Sequence, residues 1–465
     1  MRERRNILVA GGGVAALETL LALHELAGRH IRMELLAPGT HFLYRPSSVA
    51  EPFGLGGPSP SSFAELAAYC GSEIHTGTLA QVRAGDRVAV TADGAELEYD
   101  ELVVAVGGRA ADTLPGAIPF AGPQDVPALA AVLDAAERGE VRAIAFALPP
   151  GIAWTLPLYE LAIMTAVELR SRAVDGVQLT LVTSEQAPLW LFGEPASAVL
   201  STLLRERGID LVHGRPTAIA NGRLVLDRGE LVPAERTVVL PPLHGPWLQG
   251  LPHDDHGFIP VDGHGRVIGM AGVFAAGDAT SFPIKQGGLA SQQADAVATT
   301  IAADLGAVDA APAFRPVLRG LLLTGGAPLY LRAELTAKGT VQRTGHSRPA
   351  LHGDASTRAL WWPPSKAAGR YLAPYLAHAR PVALGREPLR DRVARGATGA
   401  DDEAAEAIEL ALLMAEQDAR AGDLAQALHA LDAAAALAGG VLPADVASKR
   451  DAWRTALSSG ATLAR

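Results

Sequence analysis

Ile7-Leu8-Val9-Ala10-Gly11-Gly12-Gly13-Val14-Ala15-Ala16, near the start of the chain, reads as an apolar strand, a glycine corner and the first turn of a helix. Apolar residues continue at three-to-four spacing from Val14 to Leu26, so the glycines stand at a strand-to-helix turn. Gly11 permits the tight turn, Gly13 lets backbone approach a pyrophosphate, and the small Ala16 lets the helix pack on the strand. The helix start adds free N–H groups and a positive dipole end for the phosphates. A second segment, Val273-Phe274-Ala275-Ala276-Gly277-Asp278, ends a short strand at the sheet edge where α/β folds bind ligands. The two together point to one dinucleotide, FAD, held at both ends.

Asp278 is placed to accept a hydrogen bond from a ribityl hydroxyl; its plainer alternative is a turn or helix cap. Lys285, within Phe282-Pro283-Ile284-Lys285-Gln286-Gly287-Gly288, adds a positive charge beside the helix that follows. That charge suits the pyrimidine end of a flavin, where negative charge develops on reduction. The alternative for Lys285 is a solvated surface lysine. Gln292 and Gln293 on that helix are read as partners of flavin or substrate, or as simple caps.

One expected feature is missing. The second strand, Ile31 to Ala37, ends in Ala37 where a carboxylate normally meets the adenosine ribose. Glu34 lies on the opposite strand face and about 10 Å back, a poor substitute, which leaves Thr40, His41 or backbone for that role.

Composition narrows the classes. The chain has 465 residues, a formal charge of −10 and 49% apolar residues, which supports two or more packed domains and argues against a general nucleic-acid footprint. Arg2, Arg4 and Arg5 read as a solvated terminus. Neither a signal peptide nor an apolar run of about 20 residues is evident, so a cytoplasmic location is expected. Cys70 is the single cysteine, which excludes a Cys-x-x-Cys redox pair, an intrachain disulfide and a cysteine-rich metal site. Cys70 itself reads as a small buried residue, and no metal site is expected.

The order of elements gives the fold class: α/β, with two Rossmann-like three-layer nucleotide-binding domains, the first discontinuous, and a C-terminal α-helical tail. Residues 1–120 and 252–335 form the first domain, 121–251 the second, 336–391 an interface segment, 392–400 a linker and 401–465 a helical hairpin tail. Leu102 to Val106 reads as a central parallel strand, with Gly107 and Gly108 at its end letting backbone pass close to the cofactor. Phe258 to Asp262 also reads as a short strand. In the second domain the turn Leu148-Pro149-Pro150-Gly151 lacks the N–H donors a phosphate needs, which places NAD(P)H docking in doubt. The aromatic and proline clusters Trp361 to Pro364 and Tyr371 to Tyr375 suit an interface or a substrate entrance. The tail resembles one tetratricopeptide-type hairpin, which cannot bury its own face alone and is assigned to dimerisation or docking on a partner.

With these motifs in hand the chain resembles the FAD-dependent pyridine nucleotide-disulfide oxidoreductase family from about residue 5 to 380, in the branch of type II NADH dehydrogenases and sulfide:quinone reductases. Phe42-Leu43-Tyr44-Arg45-Pro46 is similar to the loop those enzymes place near the flavin. The resemblance implies FAD binding by Gly11, Gly13, Ala16, Arg45, Gly107, Gly277, Asp278, Gln286 and Gly287, with Leu79 beside the adenine. It implies Lys285 under the flavin's pyrimidine edge as the catalytic residue, and Gln292-Gln293 where a quinone approaches. The expected activity is passage of electrons from a small-molecule donor through a non-covalent flavin to a quinone-like or other small acceptor, without a redox disulfide, free or peripheral at a membrane. A rival reading is a non-catalytic FAD-binding or scaffold protein whose helical tail recruits a partner.

Overall fold

A computed structural model describes residues 4–55, 61–336, 338–340, 343–344, 350–351, 353–379, 424, 427–428, 431–432 and 444–459. In chain order its main elements begin with β1 (Arg5–Ala10), α1 (Val14–Ala27), β2 (Ile31–Ala37), α2 (Phe63–Cys70), β3 (Glu73–Thr76) and β4 (Glu101–Val104). A second series follows: β5 (Ile118–Pro119), α3 (Val126–Glu137), β6 (Ala143–Ala147), α4 (Leu156–Ser171), β7 (Gln178–Thr183), α5 (Glu194–Glu206), β8 (Ile209–His213) and β9 (Arg236–Val239). The chain then runs through β10 (Val273–Ala275), α6 (Gly287–Asp304), β11 (Val317–Leu322), β12 (Leu329–Glu334), β13 (Gly353–Ser356), α7 (Leu372–Ala379) and α8 (Ala444–Ser459).

The first sheet has the order β10-β4-β1-β2-β3 and every pair in it is parallel. Its inner strands are buried on both faces, which is why β1 and β4 read as unbroken apolar runs rather than alternating ones. Strand β10 pairs with β4 through Val273 and Leu102, so a strand near residue 275 completes a sheet begun at residue 5. Helices α1 and α6 lie on one face in a core of small and branched residues, among them Ala15, Ala16, Leu20, Ala290, Ala294 and Val297. The other face packs on the antiparallel hairpins Leu79–Arg83, Val88–Thr91 and Glu96–Glu98.

The second sheet, β5-β9-β6-β7-β8, is also wholly parallel, and α3, α4 and α5 pack in its core. Two parallel sheets with covering helices are the doubly wound α/β architecture. Strands β11, β12 and β13 make a separate antiparallel sheet packed into the same core.

One expectation changes. Phe258 to Asp262 forms no strand, only isolated bridges from Ile259 to Thr280 and Val261 to Val267, because Pro260 in its middle has no N–H for a ladder and Gly257 and Gly263 flank it. The stretch after Tyr44 is a 3-10 helix over Arg45–Phe53. Its Pro46 occupies the first turn, where a missing N–H costs nothing. Helix α6 begins at Gly287. In the tail, Val446, Trp453 and Ala456 of α8 pack on Leu424, Ala427, Leu428 and Leu431, as a helical hairpin requires. The expected linker 392–400 and the start of the tail, 401–423, lie outside the described residues. Among the described residues no helix is long and apolar enough to cross a membrane.

Candidate functional site

The glycine corner is built for close approach. Gly11 has φ +140° and donates its N–H to the Leu36 carbonyl, and a Cβ at Gly11 would fall 2.1 Å from the Ala105 oxygen at the end of β4. Any side chain there would collide with backbone. Gly13 differs: it is the extended N-cap of α1, and a Cβ on it would meet no atom within 4 Å. Open space therefore lies in front of the helix. No side chain caps that helix end, so its first N–H groups have no intrahelical or side-chain partner. Ala16 is fully buried behind the turn, in the α1–α6 core.

The distant Gly277-Asp278 turn comes to the same place. Gly277 has φ +74°, and its Cβ would stand 2.9 Å from that of Ala15 and 3.3 Å from that of Ala290. Gly277 thus wedges between the first turns of α1 and α6. Its N–H donates to Gln293 Oε1 at 2.7 Å, and the Thr280 hydroxyl donates to the Gly277 carbonyl at 2.9 Å. A Cβ on Gly108 would lie 3.5 Å from the Asp278 carbonyl, so the end of β4 borders the turn as well. Gly107, at φ +77°, faces open space.

The Asp278 carboxylate is partly buried and accepts no hydrogen bond from any described residue. Burial pushes its pKa up, while the charges of Lys285 and Arg45 pull it down. A partly buried acceptor with free lone pairs is what a ligand hydroxyl needs. With open space at Gly13 and Gly107, this fits a dinucleotide whose pyrophosphate meets α1 and whose ribityl chain meets Asp278.

Lys285 is no surface lysine. Its Nζ donates to the Thr280 carbonyl and sits 3.6 Å from the centroid of the Phe258 ring. Burial lowers its pKa to about 8, against the opposing charges of Asp278 and Asp254. Arg45 is exposed at the start of the 3-10 helix. Gly287 opens α6, and a Cβ there would be 3.0 Å from that of Ala367 and 3.6 Å from Pro46 Cγ.

Other expected residues take different parts. Gln286 caps α6: its Oε1 accepts from the Leu289 N–H at 2.8 Å and its amide donates to the Arg319 and Lys366 carbonyls. Its side chain is spent on the protein and is not offered to a cofactor. Leu79 is buried against Leu8 and Leu36, so its side chain belongs to the core and not to an adenine pocket. Gln292 clamps α6 to β11 through the Val317 N–H and carbonyl, both at 2.9 Å, and Gln293 braces the Gly277 turn. The Gln292 amide is thereby used up, while Gln293 commits only its oxygen. Glu34 lies in the middle of β2, bonded to Arg32 and to His75 at 2.7 Å, far from the ribose position. Thr40 and His41 are exposed and bonded to each other at 2.9 Å. Cys70 is buried and its thiol is pushed up to about 12, which removes it as a nucleophile.

Three participants carry weaker sequence signals. The Phe63 ring lies 2.9 Å from a Cβ built on Gly12, with Ala37 beside it, so an apolar ring stands where a carboxylate was sought. Tyr44 Oη accepts the Ala367 N–H from deep burial. Glu18, fully buried in α1, accepts the N–H groups of Tyr371 and Leu372 at 2.8 Å each and so caps α7. An aromatic and a helical glutamate read as ordinary core and solvent positions until the segment that covers them is in place.

Comparison with known proteins follows this geometry. Residues 5–296 match the model of the pyridine nucleotide-disulphide oxidoreductase family, more than half of the chain. Among solved structures, the sulfide:quinone oxidoreductase of Aquifex aeolicus superposes with a TM-score of 0.66 at 19% identity, covering 76% of this chain and 87% of that one. A ferredoxin reductase from Rhodopseudomonas palustris gives 0.56 at 18% identity, over 74% and 86% of the two chains. The NDH2 of Plasmodium falciparum, solved with NADH, gives 0.51 at 14% identity, over 60% and 65%. At these identities the solved structures share the fold.

Proposed function

The chain belongs to the pyridine nucleotide-disulphide oxidoreductase family, and from that premise we propose that it is an oxidoreductase working through one non-covalent FAD, held between the Gly13 end of α1 and Asp278. The observation that carries this reading is the contact of Gly277 with Ala15, which makes two distant motifs the walls of one cleft.

Each residue then has a task. The uncapped start of α1 holds the pyrophosphate through backbone N–H groups and the helix dipole. Asp278, with no donor among the described residues, accepts from a ribityl hydroxyl and fixes the depth of the flavin. Gln293 and Thr280 hold the turn so that the carboxylate does not reorganise. Lys285, fixed by the Thr280 carbonyl, presents a positive charge to the pyrimidine edge. Phe63 packs against the corner where the adenosine ribose lies, so that end is held by shape rather than by a carboxylate. When bound, the flavin supplies a two-electron carrier between a donor and a quinone-like or other small acceptor. With a single buried cysteine the chain has no dithiol to relay those electrons.

Purified protein tests this directly: after incubation with FAD and gel filtration it retains one equivalent of yellow chromophore that chromatographs as FAD once released. Colourless protein after the same treatment removes the redox assignment.

A further inference from the structure

The second parallel sheet has its own strand-turn-helix crevice, between β6 and α4, and its turn is rich in proline where the first is rich in glycine. Pro149 and Pro150 fill the turn, Pro157 stands in the first turn of α4, and none of the three has an N–H. The Leu158 N–H is already given to the Thr155 carbonyl at 3.0 Å. A pyrophosphate at this turn loses those four donors and keeps only the N–H groups between Gly151 and Leu156.

The ribose position is closed too. Glu185 follows β7, where a carboxylate would receive the ribose of a dinucleotide. Here it accepts the Thr155 hydroxyl at 3.0 Å, the Tyr159 hydroxyl at 2.6 Å and the Thr183 hydroxyl at 3.1 Å. Thr155 and Tyr159 belong to the start of α4, so helix and carboxylate meet directly, with no room for a sugar between them.

Beyond Glu185 lies a cavity of about 510 Å³, lined chiefly by Ile152, Thr155, Glu185, Trp190, Pro283 and Ile284. That is the size range of sites for small organic ligands. Pro283 and Ile284 immediately precede Lys285, so the cavity borders the flavin side of the molecule. Among the described residues Glu185 forms no ion pair, and His213, exposed on β8, is the basic group that acts on it. Burial raises the Glu185 pKa, as for a charge without a counter-ion close by. Lys338, also in the lining, is exposed to solvent and screened.

We propose that this cavity binds a small, phosphate-free organic cation with an aromatic body, its charge facing Glu185 and its ring against Trp190, and that a nicotinamide dinucleotide does not enter. As the identity of the donor-side ligand this rests on the flavoenzyme reading above, but the binding is measured without any redox step. The probes are the 1-benzylnicotinamide cation, its neutral isostere 3-benzylbenzamide, NAD⁺ and ADP-ribose, each titrated calorimetrically into the full chain.

The expected result is saturable binding of the cation, about tenfold tighter than the neutral isostere, the scale of one partly desolvated charge contact. NAD⁺ and ADP-ribose give no heat. Glu185→Gln abolishes the cation's advantage, and Gln186→Lys, an exposed neighbour in the lining, reduces it without disturbing the hydroxyl cluster. Tighter binding of NAD⁺ or ADP-ribose than of the cation overturns the proposal, as does an advantage that survives both substitutions or no binding at all. Failure of the chain to hold FAD would sink the flavoenzyme reading while leaving these titrations interpretable.

Discussion

Gly277 and Ala15 touch: a Cβ on the glycine would stand 2.9 Å from that of the alanine, too close for any residue with a side chain. The contact joins the two ends of the proposed grip, so the glycines on either side of it respond differently to substitution. Gly277→Val meets both this clash and a positive φ, and should cost on the order of 2–4 kcal/mol of stability together with FAD retention. Gly13→Leu meets open space at a permissive φ and should leave the flavin-free protein within about 0.5 kcal/mol of wild type. The same leucine fills the phosphate space and should weaken FAD binding at least about tenfold. Thermal melts with and without FAD check the pair; a Gly13→Leu protein that binds FAD normally would contradict the assignment.

Lys285→Met should leave the fold intact and make the bound flavin harder to reduce. Loss of one fixed charge is worth about 1 kcal/mol, on the order of 20 mV for a two-electron couple. Because burial holds the lysine at about 8, the wild-type potential should fall more steeply with pH above that value, where the ammonium loses its proton. The variant should lack the inflection. Spectroelectrochemical titration from pH 6 to 10 reads both effects, and identical curves would remove Lys285 from the site.

Glu18 and Asp295 form a buried pair of carboxyls. Burial raises both, then each acts on the other, and Asp295 is brought to about 6 with Arg370 opposing. A folded pKa above the unfolded value of about 4 means that the folded state holds its proton more tightly. The stability so gained is present at low pH and lost as pH rises from about 4 through about 6. Asp295→Asn should therefore flatten the decline and melt higher than wild type at pH 8, by at most about 2–3 kcal/mol, with little difference at pH 4. Parallel melting profiles for the two proteins would show that the pair does not titrate in this range.

Lys366 and Glu160 join the segment after Trp361 to α4 through a fully buried ion pair, and Glu160 also accepts the Leu323 N–H at 2.8 Å. Lys366→Met alone strands a buried carboxylate and should cost about 3–5 kcal/mol. Adding Glu160→Gln removes the stranded charge and keeps an acceptor for Leu323, so the double variant should recover more than half of that loss. Denaturant titrations of wild type, single and double variants close the cycle, and additive losses would contradict the pairing.

Much of the fold is legible in the chain because the signals are local. The runs Ile7 to Ala10 and Leu102 to Val104 are apolar at every position, as strands covered on both faces must be, and the glycine corner announces its turn. Asp278 is legible because it ends a strand at the carboxyl edge of a sheet. What stays hidden depends on partners distant in sequence. Gln286 looks like a ligand residue until Leu289, Arg319 and Lys366 are seen to use its whole amide. Leu79 looks free until the first sheet covers it. Phe63 and Glu18 look ordinary, since only folding brings Gly12 to the one and the N–H groups of Tyr371 and Leu372 to the other. The prolines of the second turn argue locally against a phosphate, but the closure of its ribose position needs Thr155 and Tyr159 to reach Glu185 across a helix and a strand.

A crystal structure of the full chain reconstituted with FAD tests the central claim most directly. The account predicts one FAD with its pyrophosphate on the backbone N–H groups that follow Gly13 and a ribityl hydroxyl within hydrogen-bond distance of the Asp278 carboxylate. An FAD seated elsewhere, or a cleft at Gly13 that refuses it while Asp278 binds a group of the protein, would contradict it.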